Sequence, residues 1–191
     1  TRLPSSSAIP LAVRRVQDMF VLMFLLRGLP FVDLAYLRKS DLRDNVITYR
    51  RRKTGRPLSV TLTPEALELL KKYMNRDSHS PYLFSLLKSG EGTKEAYREY
   101  QLALRSFNQQ LTLLGEVLGL NDRLSSYTAR HTWATTAYYC EIHPGIISEA
   151  MGHSSIKVTE TYLKPFRNKK IDEANNQIID FVKHSIAGVV A

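Results

Sequence analysis

The chain has 191 residues, with 27 lysines and arginines against 18 acids and a formal net charge of +9. Its length suits one packed domain, or at most two small ones, and a hydrophobic fraction of 43% argues against a disordered chain. This excess of basic over acidic residues favours binding to a polyanion such as a nucleic acid. The alternative is a soluble basic protein that binds no polyanion.

The cysteine content and the apolar runs indicate the cellular compartment of the protein and whether it crosses a membrane. The single cysteine, Cys140, excludes an intramolecular disulfide and indicates a reducing compartment. The longest apolar run, at 19–26, is too short to span a bilayer, and no signal peptide precedes it. We therefore expect a cytoplasmic protein with no membrane partner. Residues 1–10 are predicted to be a leader or linker remnant, and residues 11–191 to be one domain.

The chain is predicted to begin with two helices. Residues 11–29 include a stretch that is apolar on every face, which is typical of a helix buried in a core. Gly28 and Pro30 are expected to end this helix. A short second helix follows, with Asp33 near its start.

A β-hairpin is predicted next. Residues 46–49 and 58–62 are rich in β-branched and aromatic side chains, which favours two short strands joined by a turn at 53–56. Thr63, followed by a proline and an acid, then predicts the N-cap and first turn of another helix.

The rest of the chain is predicted to be helical. Five further helices are indicated: one over 93–119, one capped by Ser125-Ser126 and carrying Arg130, one from Pro144-Gly145 to Gly152, one from Ser154-Ser155 to Tyr162, and one after Lys164-Pro165. The expected architecture is mainly α with one small antiparallel sheet.

The segment around Arg130 is a candidate phosphate site. Tyr127 and Arg130 are three residues apart on a predicted helix and share a face, and the start of that helix favours a nearby anion. Arginine offers a bidentate fork that matches phosphate geometry. A surface salt bridge is the alternative for a lone arginine.

The second candidate is the pair formed by His153 and Tyr162, nine residues apart. A tyrosine hydroxyl, with a pKa of about 10, becomes a useful nucleophile only when neighbours handle its charge or its proton. His153 can bond a phosphate or help with that proton. Alternatively, Tyr162 simply packs, as one of ten tyrosines.

Lys53 lies at the predicted tip of the hairpin, within a run of basic residues. A flexible lysine there can reach a DNA backbone and protonate a leaving oxygen. A solvated basic turn is the other interpretation.

Together these residues resemble the tyrosine recombinase, or phage integrase, family over nearly the whole chain. Its members carry an arginine in a Gly-Leu-Arg-like box, a hairpin lysine, a His-x-x-Arg-His box, a Leu-Gly-His box and a terminal tyrosine. The corresponding segments here are, in order, 28–33, 53–55, 127–131, 151–153 and 159–162. The resemblance implies the tyrosine recombinase catalytic-domain fold, with no N-terminal core-binding domain in this fragment.

Two positions depart from the family pattern. Pro30 stands where the first arginine is expected, and Tyr127 stands at the usual position of the first histidine. Arg27, about one helical turn earlier, can substitute, although a helical side chain there leans away from Pro30. The segment 27–33, which begins with Arg27, resembles the Arg-Gly-x-x-Phe-Val-Asp variant of this box in integrases and invertases of mobile elements. Asp33 fits the acid that braces the active site in relatives; the alternative is a helix N-cap, and the two roles are compatible. His131 is expected to point away from the site and to be structural.

The resemblance implies a mechanism. Tyr162 attacks a DNA phosphate, which forms a 3′-phosphotyrosyl link and frees a 5′-hydroxyl. Arg130, with Arg27 as partner, stabilises the transition state, and Lys53 protonates the leaving oxygen. Phosphate oxygens are held by His153 and Tyr127. No cofactor, ATP or catalytic metal is expected.

The resemblance also implies partners. The substrate is double-stranded DNA, in integration, excision or inversion. A homotetramer on two DNA sites is expected to form by exchange of the C-terminal helix, residues 168–185, through the face that carries Ile171, Ile178 and Phe181. The alternative is that this helix folds back onto its own domain.

Three other functions remain open at this point. Residues 146–162 also resemble a helix-turn-helix, which favours a non-catalytic DNA-binding regulator. A type IB topoisomerase uses similar residues but relaxes supercoils without a partner site. An inactive recombinase paralogue is the third, because of Pro30 and Tyr127.

Overall fold

The computed structural model describes residues 11–163 and 168–187. The elements in chain order are α1 (Leu11–Leu25), α2 (Phe31–Tyr36), a 3-10 turn (Lys39–Asp41), β1 (Leu42–Arg43), β2 (Val46–Arg50), β3 (Pro57–Thr61), α3 (Pro64–Tyr73), α4 (Lys94–Val117), α5 (Thr128–Tyr139), α6 (Pro144–Met151), α7 (Ile156–Glu160) and α8 (Asn168–Ala187). The predicted leader, 1–10, and the predicted start of the last segment at Lys164-Pro165 lie outside the described residues. Within those residues, every helix is too short or too polar to cross a bilayer.

The core is built around α1. Its Leu22 and Met23 are fully buried, and the helix packs against α3, α4 and α5. Phe31 at the start of α2 lies against Phe107 of α4, with ring centroids 4.6 Å apart. The apolar residues on every side of α1 are therefore explained by neighbours on several faces, as the sequence predicts for a buried helix.

A three-stranded antiparallel sheet lies beside this helical core, in the order β1-β2-β3. The two predicted strands and their hairpin are present, with Arg50 paired to Pro57 at the last rung. The sequence did not predict β1, which has only two residues. Asp44 and Asn45 make the turn between β1 and β2, and both have positive φ, as tight hairpin turns require. The mainly α fold with a small antiparallel sheet is confirmed.

The helix starts follow local capping chemistry in two cases and depart from it in a third. Thr63 and Thr93 accept backbone N–H groups at the starts of α3 and α4, as expected for N-caps. The prediction that Ser125 or Ser126 caps the next helix is wrong. The helix α5 starts at Thr128, and the N–H of Ser125 donates to the Thr128 hydroxyl. This bond fixes the loop before α5. Tyr127 occupies the N-cap position of α5, and its side chain makes no capping bond there.

The end of α1 brings the first family box into contact with α5. The helix stops at Leu25, and Arg27 and Gly28 both have left-handed φ, at 58° and 67°. A Cβ on Gly28 would lie 2.9 Å from the Cα of Arg130. A glycine is therefore needed there both for its conformation and for the close approach of two backbones.

We expect Gly28→Ala to destabilise the fold more than Gly119→Ala does. Gly119 has a similar φ of 64°, but a Cβ there would meet nothing within 4 Å. The left-handed conformation costs both alanines about 1 kcal/mol, and Gly28→Ala adds about 1–3 kcal/mol for the forced shift of Arg130. Urea unfolding of the two variants measures the difference, and equal losses would show that the contact with Arg130 is unimportant.

Candidate active site

Arg130 lies at the centre of the site. It is only 2% exposed, and its guanidinium donates to the carbonyl oxygen of Gly28 at 2.9 Å and to that of Met151 at 2.8 Å. The side chain therefore joins the ends of α1 and α6 through α5. Burial lowers the pKa of Arg130, and the charge of Arg51 lowers it further. Because a guanidinium stays protonated at any working pH, Arg130 is a fixed positive charge in a dry environment.

Arg51 is a second buried guanidinium, which the sequence analysis missed. It is 5% exposed and forms an ion pair with Asp33, whose other oxygen accepts the N–H of Arg52 at 2.9 Å. Asp33 therefore braces the hairpin onto α2, whereas the N-cap alternative is wrong because Pro30 occupies that position. A signal for Arg51 existed: it continues the inward-facing alternation of Ile47 and Tyr49, both buried.

Arg27 is placed differently from Arg51. It is half-buried, and its side chain lines an open groove with Arg56, Ile146 and Glu149. Within the described residues, the lining of that groove contains neither Arg130 nor Tyr162. The left-handed turn at Arg27 takes this residue out of the helix on which the sequence argument had placed it.

His153 is buried, at 4% exposure, behind the left-handed Gly152 that ends α6. Its Nδ1 lies 2.7 Å from the hydroxyl of the fully buried Thr159. Burial lowers the pKa of His153 to about 4, helped by the charges of Arg130, Arg51 and Lys53. The ring is therefore neutral at pH 7. With Thr159 donating to Nδ1, its Nε2–H is available to an oxygen ligand.

Lys53 is exposed in the turn between β2 and β3, as the sequence predicts. The hydroxyl of its neighbour Thr54 donates to the carbonyl oxygen of Gly152 at 3.1 Å. That bond fixes the hairpin tip next to His153. The lysine stem is free to extend from this anchored turn toward the surface of the site.

Tyr162 follows α7 and is 8% exposed. Its ring is almost parallel to that of His153, at 5.2 Å and 17°, and lies 4.5 Å from that of His131. The prediction that His131 points away from the site is therefore wrong. The Tyr162 hydroxyl lies 2.6 Å from that of Tyr127, and the phenol is near enough to Arg130 for the positive charge of the guanidinium to act on it. Burial raises the pKa of Tyr162, and the Tyr127 bond raises it further, while Arg130 opposes the shift.

Three buried nitrogens in this site have no hydrogen-bond partner among the described residues: Arg51 Nε, Arg130 Nε and His153 Nε2. Buried polar groups are rarely left unpaired, and such groups in a native fold call for a bound ligand or a functional reason. Two guanidinium groups and a neutral imidazole suit an anion with several oxygens. Elsewhere in the described part of the chain, no group of three or more metal-binding side chains was found.

The fold and this site define a class, the tyrosine recombinase catalytic domains. The fold is similar to that of the XerA recombinase crystal structure, with a TM-score of 0.59, 19% identity, and coverage of 92% of this chain and 68% of that one. It is also similar to the Tn1549 transposon integrase in complex with transposon right end DNA, with a TM-score of 0.61, 15% identity, and coverage of 87% and 59%.

Residues 11–169 match the phage integrase family, and the chain belongs to that family. It is 29% identical over 134 residues to the tyrosine recombinase XerC of Haemophilus ducreyi, covering 68% of this chain and 42% of the relative. It is also 29% identical over 161 residues to the tyrosine recombinase XerA of Thermococcus onnurineus, covering 83% and 54%. The resemblance predicted from the sequence is confirmed. The chain spans about half the length of the curated relatives it matches.

Proposed function

We propose that residues 11–191 are the catalytic unit of a site-specific DNA recombinase that cuts and rejoins strands through Tyr162. The observation that carries this proposal is the position of Tyr162 near the buried Arg130, in a site where three buried nitrogens have no hydrogen-bond partner among the described residues. A phosphodiester is the anion that such a site fits in a chain with a net charge of +9. Solved structures with the same fold include the Tn1549 transposon integrase in complex with DNA and the XerH recombinase bound to its difH substrate in a post-cleavage complex.

In the proposed reaction, the Tyr162 oxygen bonds to phosphorus as the bond to the 5′-oxygen breaks. Arg130 and Arg51 neutralise the charge that develops on the phosphate oxygens, and their fixed positions avoid reorganisation during the step. His153 donates from Nε2 to one of those oxygens. Lys53, on its anchored turn, protonates the departing 5′-oxygen. Attack by the 5′-hydroxyl of a second strand reverses the step and releases Tyr162.

Covalent capture tests this function without knowledge of the target sequence. The 191-residue chain is mixed with a pool of nicked DNA duplexes of randomised sequence, in which loss of a short strand prevents religation. The expected result is a protein–DNA adduct that resists SDS and maps to Tyr162. Sequencing the captured strands then gives a defined substrate for kinetics. Capture through another residue, or none at any protein concentration, would refute the proposal.

Arg51, rather than Arg27, is proposed as the second arginine of the site. We expect Arg51→Ala to slow adduct formation by about 10²–10³-fold, because one fixed donor to the transition state is lost. Arg27→Ala is expected to change the rate by less than about threefold, since its side chain lies in a separate groove. Single-turnover rates on the defined substrate compare the two variants, and the reverse order would restore Arg27 to the role that the sequence suggested.

The alternatives are less well supported. A helix-turn-helix regulator needs a recognition helix long enough to lie in the major groove, but α7 has only five residues, little more than one turn. The regulator hypothesis also gives no role to the buried guanidinium groups of Arg51 and Arg130. Relaxation of supercoiled plasmid without a partner site would favour a type IB topoisomerase. An inactive paralogue predicts no adduct.

The proposed partners are duplex DNA and further copies of this chain. The helix α8 exposes Ile171, Ile178 and Phe181 at 55%, 63% and 73%, and its Lys170 pairs with Glu141 before α6. Covering an apolar face of this kind stabilises an assembly, which supports exchange of α8 between copies in a tetramer on two sites.

The exposed thiol of Cys140 suits a reducing, cytoplasmic location.

A further inference from the structure

The turn that carries Lys53 is held at the residues on either side of the lysine. Arg52, the residue before it, donates its backbone N–H to Asp33 at 2.9 Å. Thr54, the residue after it, donates its hydroxyl to the carbonyl oxygen of Gly152 at 3.1 Å. These bonds tie the turn to α2 and to the end of α6, so the position of the lysine depends on contacts outside the hairpin.

A third element, the loop before α4, holds the side chain of Arg52. The Arg52 guanidinium donates to the carboxylate of Glu91, and the same carboxylate accepts a bond from Arg38, which follows α2. The Arg52 guanidinium also lies over the ring of Tyr36, 3.7 Å from its centroid. An isolated surface ion pair contributes little, but a carboxylate shared by two arginines, one of them over an aromatic ring, restricts the side chain in several directions.

Glu91 lies on a loop that is itself fixed by hydrogen bonds. On one side of it, the carboxylate of Glu99 accepts the N–H groups of Lys88 and Ser89, at 2.7 and 3.1 Å, and the Ser89 hydroxyl at 2.9 Å. On the other side, Thr93 caps α4. Both sides of Glu91 are therefore anchored, and its carboxylate has a defined position from which to hold the hairpin.

The negative charge of Glu91 excludes a direct role in holding a phosphate. The hydrogen bond from Arg52 lowers the pKa of the Glu91 carboxyl, and the bond from Arg38 lowers it further, so the group is ionised at neutral pH. A carboxylate repels the DNA backbone, and its direct effect on DNA binding is therefore unfavourable. Any contribution of Glu91 to the reaction must come through the residues that it holds.

We propose that Glu91 is a positioning residue for Lys53, which it holds in place through the side chain of Arg52. This inference rests on the proposed function, in which Lys53 gives a proton to the departing 5′-oxygen. That transfer requires the lysine ammonium within hydrogen-bond distance of the oxygen as the bond to phosphorus breaks. Glu91 itself exchanges no proton and forms no bond to the DNA.

The test compares Glu91→Gln with the wild-type chain in single-turnover adduct formation on the substrate recovered from the randomised pool. The variant keeps the shape of the side chain and removes the charge that holds Arg52. We expect the rate at saturating protein to fall by about 10–10²-fold, because a small displacement of a reacting group has an effect of this size. DNA affinity should be unchanged or higher, since one negative charge is lost. A rate equal to or above that of the wild type would overturn the proposal.

Asp18→Asn is the matched control for the loss of an ion-paired carboxylate. Asp18 on α1 accepts a bond from Lys72 at 2.7 Å and one from the hydroxyl of Tyr73 at 2.6 Å, both on α3. This variant should form adduct at the wild-type rate, and urea unfolding measures the stability that each variant loses. An equal fall in rate for Asp18→Asn would show a general effect of stability and would rule out the positioning role.

The leaving group separates the positioning of Lys53 from other effects. A substrate with sulfur in place of the bridging 5′-oxygen releases a thiolate and needs no general acid. With this substrate, Glu91→Gln and Lys53→Ala should both regain most of the wild-type rate. With the oxygen substrate, adding Glu91→Gln to Lys53→Ala should cause no further loss, because the lysine that Glu91 positions is already absent. A full additional loss in the double variant, or no gain of Glu91→Gln from sulfur, would contradict the proposal.

A measurement without DNA tests the contact apart from the proposed function. Glu91→Gln should speed the hydrogen exchange of the backbone amides at 52–55, whereas Asp18→Asn should leave it unchanged. If the wild-type chain forms adduct and Glu91→Gln matches it in both exchange and rate, the positioning role is overturned and the recombinase function stands. If the wild-type chain forms no adduct, the function is overturned, and the role of Glu91 in it as well.

Discussion

Replacement of Tyr162 by phenylalanine is expected to abolish covalent capture of DNA, with a fall of about 10⁴-fold or more in the rate of adduct formation. The change removes one oxygen, which is the only atom of the residue that bonds to phosphorus in the proposed step. The ring keeps its contacts with His131 and His153, so the fold should be retained. DNA affinity should stay within about threefold of the wild type, since most of it comes from phosphate contacts on the basic surface.

The control for this variant is Tyr97→Phe, the same chemical change on the exposed face of α4. It should form adduct at the wild-type rate. Fluorescence anisotropy with the captured duplex measures binding, and SDS gels measure the adduct. Undiminished adduct from Tyr162→Phe would remove Tyr162 as the nucleophile. Mapping the adduct to Tyr127 instead would show that the exposed hydroxyl of the pair attacks the DNA.

Replacement of Arg130 should have the second largest effect, because this side chain serves both catalysis and packing. Arg130→Ala leaves the carbonyl oxygens of Gly28 and Met151 buried without their charged donor. We expect a loss of about 2–4 kcal/mol in the free energy of unfolding. We also expect a fall of about 10³-fold or more in adduct formation, since the Tyr162 hydroxyl and the phosphate both lose their buried positive charge.

Arg130→Lys separates the two roles. A lysine keeps the charge but lacks the planar fork, so it cannot reach both carbonyl oxygens and a phosphate oxygen together. It should recover more than half of the lost stability and little of the lost rate. Urea unfolding and single-turnover capture measure the two quantities, with Arg105→Lys on the exposed side of α4 as the control. Full activity in Arg130→Lys would show that charge alone suffices there.

Local patterns in the sequence predicted much of the fold. The helix at α1, the capped starts at Thr63 and Thr93, and the hairpin around Lys53 are each set by residues close in the chain, and each is present. Errors arose where a longer-range contact competes with a local preference. Ser125 and Ser126 are good capping residues, yet the Ser126 N–H bonds to the side chain of Asn108 on α4 and not within its own helix.

The same distinction applies to the candidate site. The order and spacing of the motifs around Arg130, His153 and Tyr162 identified the family, because those residue types are fixed by the chemistry of phosphate and phenol. The alternation of buried residues along β2 suggested that Arg51 faces inward, but the sequence did not show which group would neutralise its charge there. Arg51 is buried because Asp33, 18 positions earlier, lies opposite it.

The sequence by itself determined the family and, apart from β1, the order of the helices and strands, and it predicted candidates for the chemistry that did not include Arg51. The tertiary structure alone decided which of them meet: Arg51 beside Arg130, Arg27 in a separate groove, and Tyr127 against Tyr162. Local periodicity specifies how a segment folds but not which distant segment it contacts. The Arg130 bond to Gly28 spans 102 positions and that of Tyr127 to Tyr162 spans 35, so both depend on how the whole core packs.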